Sequence, residues 1–440
     1  MVAGEFRTRD ESIFRDIESA AESIARQTLA DIGYADSATG IDPRRCRVQI
    51  AFNHQAREIG QGVDRTDGEL GAGDPGLMFG YACDEPPELM PLPISLAHAL
   101  MRRQAALRRS GDFPWLRPDA KSQVPVRYID RVPVGVEKVV LSTQHSEDID
   151  TPTLREEVRR HIIEPVIPER LRSGPFEVLV NPTGRFTVGG PKADAGLTGL
   201  KIIVDTYGRV CPHVGGAFSG KDPSRVDRSA AYMARCIAKN LMAAGCTRRC
   251  LVQLACAIGT VEPVSFLVGT QETGTVPDEE LEHMVRDVVP LTPRGITEAL
   301  DLRRPISGPT AAYGHVDWAD PSRAWESNEI QSRQFPRRVL CASPSVKSGF
   351  RHAVSVAAAA ERSWSSVRAW PVATSRRCSH VGDVVLGHSA SNACACLEFR
   401  PSRGHASPKQ IPQRNDARAS RCPAGIAHWL VTRVRLEDFY

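Results

Sequence analysis

Three stretches of this chain combine glycine with charged or flat side chains in ways that can do chemistry. Gly215-Gly-Ala-Phe-Ser-Gly-Lys221 has the G-x-x-x-x-G-K spacing of a phosphate loop, but Asp222 stands where a complete loop has the Ser or Thr that holds magnesium. The glycines around Ser219 free backbone N–H groups to point at an anion, and Lys221 adds a full charge beside them. Arg225 and Asp227 follow, so the segment offers cations for phosphate and a carboxylate for a divalent metal. The competing reading is a helix start whose charges are simply solvated.

Gly71-Ala-Gly-Asp-Pro-Gly76 satisfies G-x-G-x-x-G letter for letter. A dinucleotide site would need an apolar strand before it, whereas Asp64–Leu70 is polar, and Pro75 removes a backbone donor that a phosphate would use. A structural loop is expected there. The third stretch, Pro182–Gly199, is too glycine-rich for a core element and carries Arg185, Phe186 and Asp194. Phe186 either fills the core or stacks on a base, which offers a flat apolar face.

Several elements must position these residues. The apolar spacing of residues 10–33 predicts an amphipathic helix with Ile13, Ile17, Ala20, Ile24 and Ala25 on one face and Gly33 as its stop. Capping-box spacing of Thr153 and Glu156 predicts a second helix starting near Thr153. A third fits Arg228–Met242. Strands are expected at Lys138–Thr143, Lys201–Asp205, 250–258 and 261–268. Helices alternating with pairs of strands favour α+β layers over a doubly wound parallel sheet.

The 440 residues suffice for several domains, and their net charge of +4 hides an asymmetry. Residues 327–440 hold 17 Lys and Arg, 15 of them Arg, against 7 Asp and Glu, whereas residues 1–326 hold 39 against 45. The last segment has no sustained period and is expected to be an irregular, disordered tail. It lacks the aromatic spacing of an RNA-binding module, so no nucleic-acid partner is expected. The twelve cysteines include no Cys-x-x-Cys pair, and Cys246, Cys250, Cys394 and Cys396 are expected to be ordinary thiols. With no secretory signal and no eighteen-residue apolar run, a cytoplasmic protein without membrane contact is expected.

Taken together, the motifs resemble the S-adenosylmethionine synthetase (methionine adenosyltransferase) family. Gly71–Ala82 and Gly215–Tyr232 resemble its two signatures. Asp119–Val124, Leu141–Ser146, Pro182–Phe186, Lys201–Gly208 and Thr310–His315 follow in family order, within a likeness that runs from about Gly4 to Glu326. The resemblance implies three similar sheet-plus-helix domains, here an incomplete one at 1–65, a central one at 70–188 and a C-terminal one at 189–326, built from intertwined segments. It also implies a homodimer or a dimer of dimers with shared active sites, ATP and L-methionine as substrates, and Mg2+ and K+ as cofactors.

By that resemblance Glu5 and Gln55 would hold methionine, and Asp119, Lys121, Arg185 and Phe186 would contact ATP. Asp194 would sit between the substrates and touch both; Lys201, Ala217 and Lys221 would line the triphosphate. Arg225 stands where the family has a lysine near methionine, and Asp227 is the metal-side carboxylate. Lys121 and Lys221 are the residues expected to be catalytic.

Departures from the family pattern bear on activity. The family's opening segment contains His-Pro-Asp-Lys and then a potassium-binding glutamate, and Met1 aligns after both, inside a strand of the first domain. Leu200 stands for a phosphate-binding arginine, Pro75 for a glutamine, Pro125 for a threonine and Val214 for a glycine. Losing one preorganised donor costs about 10²–10³ in rate, so weak or absent turnover is expected, with a pseudoenzyme subunit pairing with an intact homologue, or a non-functional fragment, as alternatives.

Overall fold

The computed structural model describes residues 1–65, 68–316 and 323–328, with the backbone alone described at 173–176, 383–385, 398–400 and 428–435. The chain begins with β1 (Val2–Phe6), α1 (Glu11–Ile32), β2 (Ile50–His54) and α2 (Arg57–Val63). β1 and β2 pair in parallel, from Val2 opposite Ile50 to Phe6 opposite His54. Asp10 caps α1 by accepting from the N–H groups of Ser12 and Ile13, and Gly33 at φ 113° ends it, as the sequence predicts.

The buried face of α1 differs from the expected one. Ile13, Ile17 and Ile24 are 39%, 41% and 61% exposed, while Phe14, Ala21 and Ile32 are buried. A two-stranded sheet is too narrow to cover a 22-residue helix. What reaches α1 is the aromatic cluster at its start, where Phe14 lies 4.8 Å from the Phe6 ring and 4.1 Å from the His54 ring.

Two apolar cores organise the remainder. In one, the antiparallel sheet of β3 (Gly76–Cys83), β7 (Arg249–Cys256) and β8 (Ser265–Gly269) carries α6 (Val226–Ala243), α7 (Asp278–Val288) and α8 (Pro293–Ala299). In the other, α3 (Leu92–Ser110) covers β4 (Leu116–Ile129), β5 (Val132–His145) and β6 (Arg172–Val180), backed by α4 (Thr151–Val158) and the short α5 (Glu164–Val166). A last short helix, α9 (Ser307–Thr310), precedes His315. The mixed α+β architecture is therefore the one expected. β3 comes from the chain region of the second core yet completes the sheet of the first, so the two are intertwined. At Gly80 an added Cβ would lie 2.0 Å from the Ala234 carbonyl carbon, so α6 rests directly on the β3 backbone.

Two expected elements are corrected. α4 is capped by Asp150, which accepts from the Thr153 N–H at 3.0 Å, and Thr153 lies inside the first turn. Lys201–Asp205 forms turns, not a strand: the Lys201 carbonyl accepts from the N–H groups of Val204 at 2.9 Å and Asp205 at 3.0 Å. A short apolar run is compatible with either state, and burial of Val204 in the core decides for the turn.

The 310 turn Ala324–Glu326 closes the first core. Trp325 stacks on Tyr232 with centroids 3.9 Å apart. Glu326 joins two buried cations on α6, Arg235 at 3.0 Å and Lys239 at 2.9 Å. In the basic tail, β9 (Asp383–Val385) pairs with β10 (Glu398–Arg400), and β11 (His428–Arg435) runs antiparallel along Lys121–Tyr128 of β4. The rest of the expected irregular tail, with Cys394 and Cys396, lies outside the described residues. Cys246 and Cys250 are buried free thiols. Among the described residues, no helix is long and apolar enough to cross a membrane.

Candidate functional site

The glycine loop before α6 brings its charges together. Lys221 pairs with Asp227 through Nζ and Oδ2, and the Oδ2 of Asp74 lies 3.8 Å from the same ammonium. Gly216, at φ 85°, holds the loop against Asp227, since a Cβ there would fall 2.5–2.7 Å from its carboxylate group. Arg225 donates to the Gly73 carbonyl at 2.7 Å, and the Gly73 N–H donates to Ser224 at 3.0 Å. The Gly71–Gly76 loop therefore delivers Asp74 to a group otherwise built from residues 216–227. No nucleotide fingerprint is involved.

Asp74 is the member of this group that motif reading leaves out. Both of its carboxylate oxygens are buried without a well-formed hydrogen bond. Burial first, and then the charge of Asp227, hold its pKa above the ordinary value, with Lys221 opposing. The signal lay inside the glycine motif, as a lone acid between two glycines, but its partners are about 150 residues away in sequence.

A second group forms on the β4–β5 pair. The pairing shifts register between Leu116 and Ala120, and this irregularity presents Asp119, 3% exposed. One Asp119 oxygen accepts from the Gly190 N–H at 3.1 Å, and the other is buried without a partner. Lys121 follows two residues later on the same strand, half-buried. His145 pins the loop beyond: its Nε2 accepts from the Phe186 N–H at 3.1 Å, so its Nδ1 carries the proton donated to the Ser146 carbonyl at 2.7 Å. Phe186 is thereby held half-buried and Arg185 exposed, with the ring outside both core clusters.

The loop from Arg185 to Lys201 runs from the Asp119 group toward the Lys221 group. Asp194 is exposed along it, and Gly199 packs against Ala217, where an added Cβ would come within 2.4 Å of the Ala217 Cβ. Lys201 is half-buried just beyond, whereas Leu200 is 54% exposed. Glu5 is exposed on β1, and Gln55 is tied by its backbone N–H to the Phe6 carbonyl at 3.2 Å. Among the described residues, neither makes a side-chain hydrogen bond or ion pair with the Lys221 or Asp119 groups. The N-terminal unit instead meets the second group through the Thr39 carbonyl, which accepts from Gln144 at 3.4 Å.

Behind the glycine loop lies a buried relay. Tyr232 Oη lies 2.6 Å from Nδ1 of His315, and the ring's Nε2 lies 3.0 Å from Ser219 Oγ, both at hydrogen-bond distance. Burial first, then Arg228 and Arg323, push the His315 pKa well below its ordinary value, so the ring is neutral. A neutral ring donates through one nitrogen and accepts through the other, so it links Tyr232 to Ser219 and fixes Ser219 within the loop.

Among the described residues no group of three or more His, Cys, Asp or Glu is arranged to hold a metal ion. Asp74 and Asp227 offer two carboxylates, and a magnesium ion takes one or two of these when phosphate oxygens complete its shell. In comparison with known families, residues 69–186 match the S-adenosylmethionine synthetase central domain, and residues 188–327 match the S-adenosylmethionine synthetase C-terminal domain.

Proposed function

The chain belongs to the S-adenosylmethionine synthetase family, and from that premise we propose that it is a methionine adenosyltransferase by descent, with ATP and L-methionine as its ligands. The observation that supports this reading best is the Lys221–Asp227–Asp74 group under the glycine loop. Asp119, Lys121, Arg185 and Phe186 take the nucleoside end, and Lys201, Ala217 and Lys221 the triphosphate. Asp194 lies between the substrates, while Glu5, Gln55 and Arg225 belong to methionine. Because the first and last of these residues fall in separate groups, we assign the working site to the interface of a homodimer or dimer of dimers. We retain 1–65, 70–188 and 189–326 as its three domains.

In the reaction the methionine sulfur forms a bond to ribose C5′ as the C5′–oxygen bond breaks, and the electron pair leaves on the triphosphate. Water then cleaves the triphosphate to pyrophosphate and phosphate. The sulfur lone pair needs no base, so the protein's task is to align the two substrates and neutralise the leaving group. Lys221 is held at the leaving group by the two carboxylates that it would release to bound magnesium. Magnesium, held by Asp74 and Asp227 with phosphate oxygens, would add charge neutralisation; we assign no residue to potassium. Leu200 places an apolar, exposed side chain where the family has an arginine, which favours slow turnover or a binding-only subunit beside an intact homologue.

The test is to supply purified chain with ATP, methionine, magnesium and potassium and to follow ATP binding and product formation. ATP binding is expected with product forming slowly, and Lys221→Ala lowers any product formation by about 10²-fold or more. Leu200→Arg is expected to raise the rate. Turnover at ordinary family rates in the unaltered chain would remove the slow-turnover reading, and failure to bind ATP would remove the assignment of the site.

A further inference from the structure

A cavity of about 340 Å3 lies beside the start of α6. Four cations line it, Lys221, Arg228, Arg303 and Arg304, against one carboxylate, Asp222. Arg304 is engaged by Asp301 at 3.5 Å, and Lys221 by Asp227. Arg228 is different. It is 6% exposed, yet its guanidinium donates to three neutral oxygens: Tyr232 Oη at 3.0 Å, the Lys221 carbonyl at 2.8 Å and Thr310 Oγ1 at 3.2 Å.

Among the described residues Arg228 has no ion pair, although a buried charge ordinarily needs one to offset its desolvation. Arg235, two turns along the same helix, shows the usual solution in its pair with Glu326. Arg303, exposed at the cavity wall, likewise makes no ion pair among the described residues. Two cations without an ion pair among the described residues face one cavity, one of them buried, and they call for an anion small enough to enter and highly charged enough to serve both.

We propose that this cavity binds a small oxyanion of the inorganic phosphate class, held by Arg228 and Arg303. The site adjoins the Lys221–Asp227–Asp74 group through Lys221, whose ammonium is engaged by Asp227, and its own cations are Arg228 and Arg303; the proposal does not depend on the enzymatic reading. Occupancy is felt at the glycine loop, because Arg228 holds Tyr232, Tyr232 holds His315 and His315 holds Ser219.

Phosphate binding to the full chain is measured by 31P line broadening, with chloride at matched ionic strength as the control. Arg303→Glu is expected to weaken phosphate binding tenfold or more while leaving ATP binding within twofold, and Arg303→Lys to retain phosphate binding. Lys221→Ala is expected to weaken ATP binding and leave phosphate binding in place. Phosphate binding that is absent, matched by chloride, indifferent to Arg303→Glu, or lost with Lys221→Ala in step with ATP overturns the proposal. Loss of ATP binding alone bears on the enzymatic reading and leaves this one standing.

Discussion

Helices α1 and α6 are both amphipathic, yet they meet opposite fates. α6 buries 15 of its 18 residues, including charged Arg228, Arg235 and Lys239, whereas α1 buries 3 of its 22 and leaves three isoleucines in water. The difference is what each helix is given to pack on. α6 lies between β3, which offers the flat backbone of Gly80, and the closing turn with Trp325 and Glu326. α1 has two short strands and one aromatic cluster. Amphipathicity states that a helix has an apolar face, and the neighbouring surface decides which face is buried and how much of it.

The largest effect expected on this contrast comes from Glu326→Ala. It strands Arg235 and Lys239 in the core without their shared carboxylate, and breaking a buried pair in this way costs about 3–5 kcal/mol, read by denaturant unfolding. A loss under 1 kcal/mol would mean that α6 is less enclosed than its burial indicates.

A smaller effect is expected from acid. The folded His315 pKa lies well below the ordinary 6.5, so below pH 6.5 the unfolded chain takes up a proton that the folded chain does not. Stability is therefore full above that pH and falls as pH drops toward the folded pKa, by at most about 1.4 kcal/mol per pH unit from this residue. Comparing the pH dependence of unfolding with that of His315→Gln checks it; an unchanged slope would place the acid sensitivity elsewhere.

The smallest effect is expected in α1. Ile24 is already 61% exposed, so Ile24→Ser should change stability by about 0.5 kcal/mol or less. A markedly larger loss would show that this face is covered in solution, for instance by a second copy of the chain.

Much of the local structure was legible in the sequence. Asp10 and Gly33 bracket α1, the apolar spacing marks α6, and the paired runs at 250–258 and 261–268 become β7 and β8. These features are local, because caps, turn glycines and periodicity act over a few residues. The grouping of Lys221 with Asp227 was legible for the same reason, since six residues and a glycine loop separate them. The family motifs supplied the remaining site assignments, from Asp119 to Arg225, but residue spacing alone could not place those residues in space.

Tertiary packing decided the remainder. Lys201–Asp205 turns instead of extending because burial at Val204 outweighs a short run's preference for a strand. Phe14 replaces the isoleucine stripe as the buried face of α1 because only an aromatic cluster reaches that helix. Asp74 joins Lys221 because β3 pairs with β7 and carries the glycine turn preceding it across to α6. The sequence determined which groups could bind phosphate and where its helices start and stop, since those depend on neighbours along the chain. Which acid faces which cation, and which buried arginine has no carboxylate partner among the described residues, depended on strands and loops meeting across more than a hundred residues.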